Sequence, residues 1–250
     1  MKIVIIGGSG LIGSQLTNLL KNQHEVIAAS PNTGVNTLTG EGLDEALENT
    51  DVVVDVSNSP SFADDDVMNF FRTSTTNLLE AEQKANVKHH IALSVVGTQK
   101  LSESGYFRAK QVQEKLIGES SVPYSIVHAT QFFEFAGGVA ASSVKENGMF
   151  VTDALVQPIA SSEVAAFLAK TVEEKPKFGI AEIAGPEKMP MNNWVENYLN
   201  VMQRPSNITI EKNAPYFGAV LENDTLIPEK AVFESKIRYE DWISNPQNQR

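Results

Sequence analysis

The chain has 250 residues, 42% hydrophobic and 20% charged, a balance that suits a soluble globular α/β domain with room for a smaller lobe. A formal net charge of -11 argues against a nucleic-acid partner, which needs a basic face. The absence of cysteine excludes disulfides, thiolate metal sites and cysteine nucleophiles. No segment reaches the roughly 18 apolar residues of a membrane span, and the N-terminal apolar run is too short for a signal peptide. The expectation is a cytoplasmic protein, monomer or homodimer, acting on a small molecule.

The first element is KIVIIGGSGLIGSQL, Lys2 to Leu16. Ile3, Val4, Ile5 and Ile6 form a β-branched run that suits a strand buried on both faces. Gly7, Gly10 and Gly13 follow, and then helix-forming residues. A strand turning sharply into a helix leaves the first amides of the helix free to hold an anion. In such a turn Gly7 permits the tight bend, Gly10 lets a pyrophosphate approach the backbone, and Gly13 lets the helix pack on the sheet. The expected cofactor contacts here are Gly7, Ser9, Gly10, Leu11, Ile12 and Gly13.

Glu25 to Ala29 reads as the second strand and Ser30 to Gly34 as the loop leaving it. A short helix spans Gly40 to Glu48, and DVVVDVS, Asp51 to Ser57, is the third strand. Ser61 and Asp64 have capping-box spacing ahead of a helix running to about Ala85. Val87 to Val95, Tyr106 to Ile117 and Pro123 to Val127 continue the alternation as strand, helix and strand. Strands alternating with helices imply βαβ units and a Rossmann-type, doubly wound parallel sheet. From Thr130 the rhythm breaks. A helix at Ser162 to Val172 and a strand at Gly179 to Ala184 return to the sheet. A helix at Asn193 to Met202, with Asn193 and Glu196 at cap spacing, and a strand at Ile208 to Ile210 follow. The expected organisation is one Rossmann unit over 1–250. Its dinucleotide-binding core is 1–128 with 156–184, and a small substrate-binding lobe comes from 129–155 and 185–250.

Ligands of such sheets sit beyond the carboxyl ends of the strands. Ser94 leaves the strand HHIALS, and Tyr106 and Lys110 stand four apart on the next helix, on one face of it. Carbonyl reduction wants these residue types. Hydride arriving at carbon puts negative charge on oxygen, which a tyrosine can protonate. A neighbouring ammonium favours the phenolate and brings the phenol nearer its working range, and a serine can hold the oxygen in line. Ser57 and Asn58, leaving the third strand, are expected to touch the cofactor, as is Thr130 beside Gln131. Asp55, inside an apolar strand, is expected to make a structural hydrogen bond. Phe132, Phe133 and Phe135 suit either an apolar pocket or the core, and His128 either a ligand contact or packing. His89 and His90 point to opposite faces of a strand, and no metal site is expected. The second strand's exit carries Ser30, Asn32 and Thr33 and no acid to repel a 2′-phosphate, which leans towards NADP(H) over NAD(H).

The Gly7, Gly10, Gly13 turn, the Ser94 exit and the Tyr106, Lys110 pair, in this order, resemble the short-chain dehydrogenase/reductase superfamily. LSVVG (Leu93 to Gly97), GYFRAKQVQEKL (Gly105 to Leu116), HATQFFEF (His128 to Phe135) and QPI (Gln157 to Ile159) look like its atypical, NmrA-like NAD(P)H-binding branch, in particular bacterial oxidoreductases. The resemblance implies a Rossmann core, a nicotinamide cofactor, and Ser94, Tyr106 and Lys110 in the catalytic positions. It implies an oxidoreductase reducing a small carbonyl or quinone-like compound, the alternative being a cofactor-binding redox sensor without turnover. One departure stands out. Active members often carry an Asn for a proton relay on the helix before the serine strand, and here Phe70 or Phe71 falls at that place, with Asn77 one or two turns later.

Overall fold

Ile3, Val4, Ile5 and Ile6 are at most 4% exposed, as a strand covered on both faces requires, and they lie within β1 (Lys2–Ile6). The computed structural model describes residues 1–249. After β1 come α1 (Leu11–Leu20), β2 (Glu25–Ala29), α2 (Leu43–Leu47), β3 (Val52–Asp55), α3 (Asp64–Ala85), β4 (His89–Val95), α4 (Gly105–Glu119) and β5 (Tyr124–Ala129). The chain continues through α5 (Ala136–Ser142), β6 (Val144–Lys145), β7 (Gly148–Val151), β8 (Leu155–Val156), α6 (Ser161–Val172) and β9 (Ile180–Ala184). It ends with β10 (Met189–Pro190), α7 (Met191–Val201), β11 (Ile208–Ile210), β12 (Phe233–Glu234) and α8 (Tyr239–Ile243).

Seven strands form one parallel sheet in the order β12-β9-β5-β4-β3-β1-β2. In its registers Ile5 lies opposite Ala28 of β2 and Val54 of β3. The order runs one way from β1 to β2 and the other way from β1 to β3. The reversal point, where such sheets open a crevice for ligand, is therefore at the end of β1. This is the Rossmann-type α/β fold that the alternation of elements predicts.

The chain divides into two compact units. The first comprises 1–94, 105–128 and 162–181; the second comprises 95–104, 129–161 and 182–250. The segment returning to the core is thus shorter than the expected 156–184, and the stretch after Ser94 belongs to the second unit. In the first unit, Val4, Ile6 and Val53 pack with Leu43, Leu47, Leu78 and Ala81. Val67 and Phe71 of α3 meet Ala109 of α4 in a second cluster, with Tyr106 at its margin. In the second unit, Phe133 is 2% exposed and packs edge-on against Tyr239, which meets Trp194 in the same manner. Of the three phenylalanines, Phe133 is therefore core, while Phe132 stacks on a half-exposed Phe135.

Two helix starts differ from the sequence reading. Ala63, not Ser61, is the N-cap of α3, and it makes no side-chain cap bond. Ser61 Oγ instead accepts from Ala63 N and donates to Asp66 at 2.7 Å, so the polar turn slides two residues along. α7 starts at Met191, two residues before the expected Asn193, with Pro190 as its N-cap and no side-chain cap. The first amides of the helix find backbone carbonyls instead, Met191 N donating to Ala154 O at 2.9 Å and Asn192 N to Thr152 O at 3.2 Å.

The paired histidines of β4 do face opposite ways. His89 Nε2 lies 2.8 Å from Ser125 Oγ of β5, and His90 Nδ1 lies 2.8 Å from Glu82 Oε1 of α3. Burial pulls the His89 imidazole down from 6.5 to about 4. Burial also acts to lower His90, but the charge and hydrogen bond of Glu82 override it and raise the group. A histidine depressed on folding binds fewer protons folded than unfolded, so His89 contributes stability above pH 6.5 that is lost as pH falls towards about 4. Urea midpoints measured across that window are expected to fall with pH, and His89→Gln to flatten the slope. An unchanged slope in the variant would show that His89 does not titrate there.

Candidate functional site

At the reversal point the backbone itself makes the site. Gly7 has φ +81 and sits where a Cβ would lie 2.9 Å from the Ser57 backbone. A Cβ on Gly8 would lie 2.6 Å from Ala28 Cα, and one on Gly13 only 2.2 Å from Gly7 O. β1, β2, β3 and α1 therefore converge at these glycines with no volume left for a side chain. Gly7 N and Gly8 N both bond Ala29 O, and Gly10 N closes back on Gly7 O at 2.9 Å. Gly10 is the N-cap of α1, with no side-chain cap and no acid in the first turn. The amides of Leu11, Ile12 and Gly13 start the helix, where intrahelical partners are lacking. Ser9 and Leu11 are exposed, whereas the Ile12 side chain is buried, so Ile12 can offer a ligand only its amide. A side-chain-free cradle ending in an uncapped helix start fits a dinucleotide pyrophosphate.

The loop after β2 is self-contained. Thr33 Oγ1 accepts from Ser30 N at 2.9 Å and bonds the Ala28 and Ser30 carbonyls, making a capping box around Pro31–Thr33. The Ser30 and Thr33 hydroxyls are thereby engaged with the turn, and Asn32 is exposed. At the exit of β3, Ser57 N and Oγ both bond Asp55 Oδ1, at 3.0 and 2.6 Å. Asp55 is thus a buried structural acceptor, as expected. Asn58 is exposed, and its Oδ1 accepts from Ser59 N.

Ser94, Tyr106 and Lys110 all belong to the first unit, but their bonds differ from the expectation. Ser94 is 2% exposed and donates to Glu114 Oε1 at 2.5 Å. The same oxygen accepts from His128 Nε2 at 2.8 Å, so His128 packs against a carboxylate. A hydroxyl has one proton, and that of Ser94 is committed inside the protein. Gly105 starts α4 where a Cβ would collide with Asp64 Oδ1 at 2.0 Å, which lets the first turn of α4 close on α3. Tyr106, next in the chain, meets the rings of Phe62, Phe71 and Phe107. Burial pushes its phenol above the usual value, the reverse of the lowering expected from Lys110. The ammonium donates to Leu93 O at 2.9 Å and to Gln113 Oε1, and it lies 4.5 Å from the centre of the Phe71 ring. Burial lowers Lys110 to about 8, against the pull of Asp55 and Glu114.

Of Phe70 and Phe71, which stand at the place expected for a relay Asn, Phe71 offers the ammonium a π face. Asn77 is used elsewhere, its Nδ2 donating to Thr37 O and Leu38 O. Thr130 lies in the second unit, 1% exposed, with N bonded to Ile183 O. Its Oγ1 and both amide atoms of Gln131 are buried with no partner among the described residues. Those residues also contain no group of His, Cys, Asp and Glu able to hold a metal, and no helix long and apolar enough to cross a membrane.

Residues 7–175, from the glycine cradle through α6, match the NAD(P)H-binding family. The chain belongs to that family. Among relatives of this NAD(P)H-binding protein, a photosystem II assembly factor of Synechocystis is 24% identical over 69% of this chain and 59% of its own. The chloroplastic divinyl chlorophyllide a 8-vinyl-reductase of Arabidopsis thaliana is 32% identical over 58% of this chain and 38% of its own. The chain thus spans less than two thirds of either. A (4-alkanoyl-5-oxo-2,5-dihydrofuran-3-yl)methyl phosphate reductase of Streptomyces griseus is 24% identical over 81% and 74%. A dTDP-4-dehydrorhamnose reductase ortholog of Clostridium acetobutylicum superposes with a TM-score of 0.72 over 98% of both chains at 15% identity. The Bordetella bronchiseptica enzyme WbmH, in complex with NAD+, gives 0.70 over 88% of both at 14% identity.

Three residues of the site escaped the sequence reading. Gly8 was legible as half of a Gly-Gly pair at the strand exit. Gln113 and Glu114 stand three and four residues after Lys110, the spacing that shares a helix face.

Proposed function

We propose that this NAD(P)H-binding chain is a reductase of the NmrA-like branch of short-chain dehydrogenases, using NADPH in preference to NADH on a small carbonyl or quinone-like compound. The observation that carries the reading is Tyr106 and the buried Lys110 one helical turn apart on α4, in the same unit as the glycine cradle. The bound nicotinamide would supply hydride. Tyr106 would give its proton to the oxygen that gains charge, and the cation one turn away would offset the phenolate left behind. The cradle of Gly7, Gly8, Gly10 and Gly13 and the amides of Leu11, Ile12 and Gly13 would hold the pyrophosphate. A β2 exit without a carboxylate supports NADPH. Two relatives with reductase names support the class.

Ser94 is left out of the oxygen-positioning role, because its proton goes to Glu114. That same commitment favours a second reading, a cofactor-binding regulator without turnover, to which the likeness to an assembly factor also lends support. Tyr106→Phe separates the two. Measured as NADPH oxidation over a panel of simple quinones and aldehydes, turnover is expected to drop by about 10²–10⁴, with NADPH affinity, followed by fluorescence, nearly unchanged. A variant as fast as wild type removes the tyrosine from the chemistry. A wild-type protein that binds NADPH tightly yet oxidises none of it favours the regulator.

A further inference from the structure

Between the glycine cradle and Lys110 runs a chain of hydrogen-bonded polar groups, half-buried at Ser57 and buried from Asp55 onward. Ser57, whose backbone Gly7 approaches, donates to Asp55 Oδ1. Asp55 Oδ2 accepts from Gln113 Nε2 at 2.9 Å, and Gln113 Oε1 accepts from Lys110 Nζ. Asp55, Gln113 and Lys110 are 3%, 1% and 2% exposed. The Gln113 amide stands between a carboxylate and an ammonium, and only one orientation satisfies both. Flipped, it would turn its NH₂ onto the ammonium and its oxygen onto the carboxylate. A buried ammonium needs a compensating charge, and here Asp55 supplies one across an amide. We propose that Gln113, braced by Asp55, is the positioning residue of Lys110, doing from the same helix what a relay Asn on the preceding helix would do.

The remaining neighbours of the ammonium cannot take that part. Phe71, from α3, presents a ring face without a directional acceptor, and Leu93, from β4, presents one carbonyl. Glu114, on α4, is a second carboxylate acting on Lys110, but its bonds run to Ser94 and His128. Tyr106, also on α4, is a half-buried phenol raised by desolvation, which brings no charge. The direction of Lys110 is therefore set chiefly by Gln113, and much of its charge balance by Asp55.

The inference rests on the reductase reading for its catalytic meaning, but it is tested without turnover. The Lys110 side chain is titrated by NMR of ¹³Cε-labelled protein in wild type, Asp55→Asn and Gln113→Met, each checked for folding by circular dichroism. Asp55→Asn is expected to lower the Lys110 midpoint by about one pH unit, tenfold in the proton affinity, and Gln113→Met to lower it by a smaller amount. Where an active substrate is in hand, the pH profile of turnover should shift with the midpoint. A Lys110 that titrates as in wild type in both folded variants overturns the proposal, whatever the turnover. Midpoints that shift in a protein without turnover uphold it and sink the reductase reading alone. Should neither variant fold, the wild-type protein decides: a Gln113 side-chain amide signal that shifts at the Lys110 midpoint and exchanges slowly with solvent upholds the contact, and an amide signal indifferent to that titration overturns the proposal.

Discussion

Gly13→Ala is expected to abolish NADPH binding and to lower stability by about 1–3 kcal/mol or more. The added methyl would lie 2.2 Å from Gly7 O, 2.7 Å from Gly8 Cα and 2.8 Å from Gly7 C. All three atoms are backbone, so no rotamer change relieves the clash, and α1 must lift away from β1. Lifting it moves the amides of Leu11, Ile12 and Gly13 out of the cradle. A control separates this from the general cost of losing a glycine. Gly34 has φ +83 but nothing within 4 Å of a Cβ, so Gly34→Ala should lose only about 1–2 kcal/mol of left-handed strain and keep cofactor binding. Thermal melts and NADPH fluorescence titrations read both effects. A Gly13→Ala protein that binds NADPH like wild type would show that the cradle is not where the pyrophosphate sits.

The second large effect belongs to the pair between α3 and β4. Glu82 and His90 are both 0% exposed, and their contact is 2.8 Å. Burial raises the Glu82 carboxyl and His90 opposes it, so each group depends on the other for its charge state. His90→Leu strands Glu82 without a partner and is expected to cost about 3–5 kcal/mol by urea unfolding. Replacing both, as Glu82→Met with His90→Leu, removes the stranded charge and should restore much of the loss. A double variant as unstable as the sum of its singles would refute the coupling. Asp55 also acts on both groups, so the cycle is best run with Asp55 intact.

The sequence made the frame of this molecule legible where one force dominates. Ile3 to Ile6 can only be buried, and a glycine turn after such a run leaves few conformations, so β1, the turn and α1 could be read directly. The parallel alternation through β5 followed from the same logic. Side-chain commitments were not legible, because they depend on which of several near neighbours accepts a proton. Ser94 looks free at a strand exit, yet Glu114 reaches it from twenty residues on. The Lys110 ammonium looks aimed at Tyr106 along the helix, yet a carbonyl of β4 and the next residue on its own face take its hydrogens. The phenol is raised rather than lowered for the same reason: three aromatic rings pack around it and desolvate it, while the Lys110 ammonium is bonded elsewhere. The second unit was least legible: β11 was read at Ile208 to Ile210, but the short strands β6, β7, β8, β10 and β12 carry too few residues for a period to show.

One of those short strands bears on how the chain is made. Phe233 and Glu234 pair with Ile183 and Ala184 and complete the sheet beyond β9. During translation β9 leaves the ribosome well before they do, and for that interval its outer margin offers unpaired amides and carbonyls to any extended peptide nearby. The last strand in the sheet is thus also a cover for the outer margin of β9.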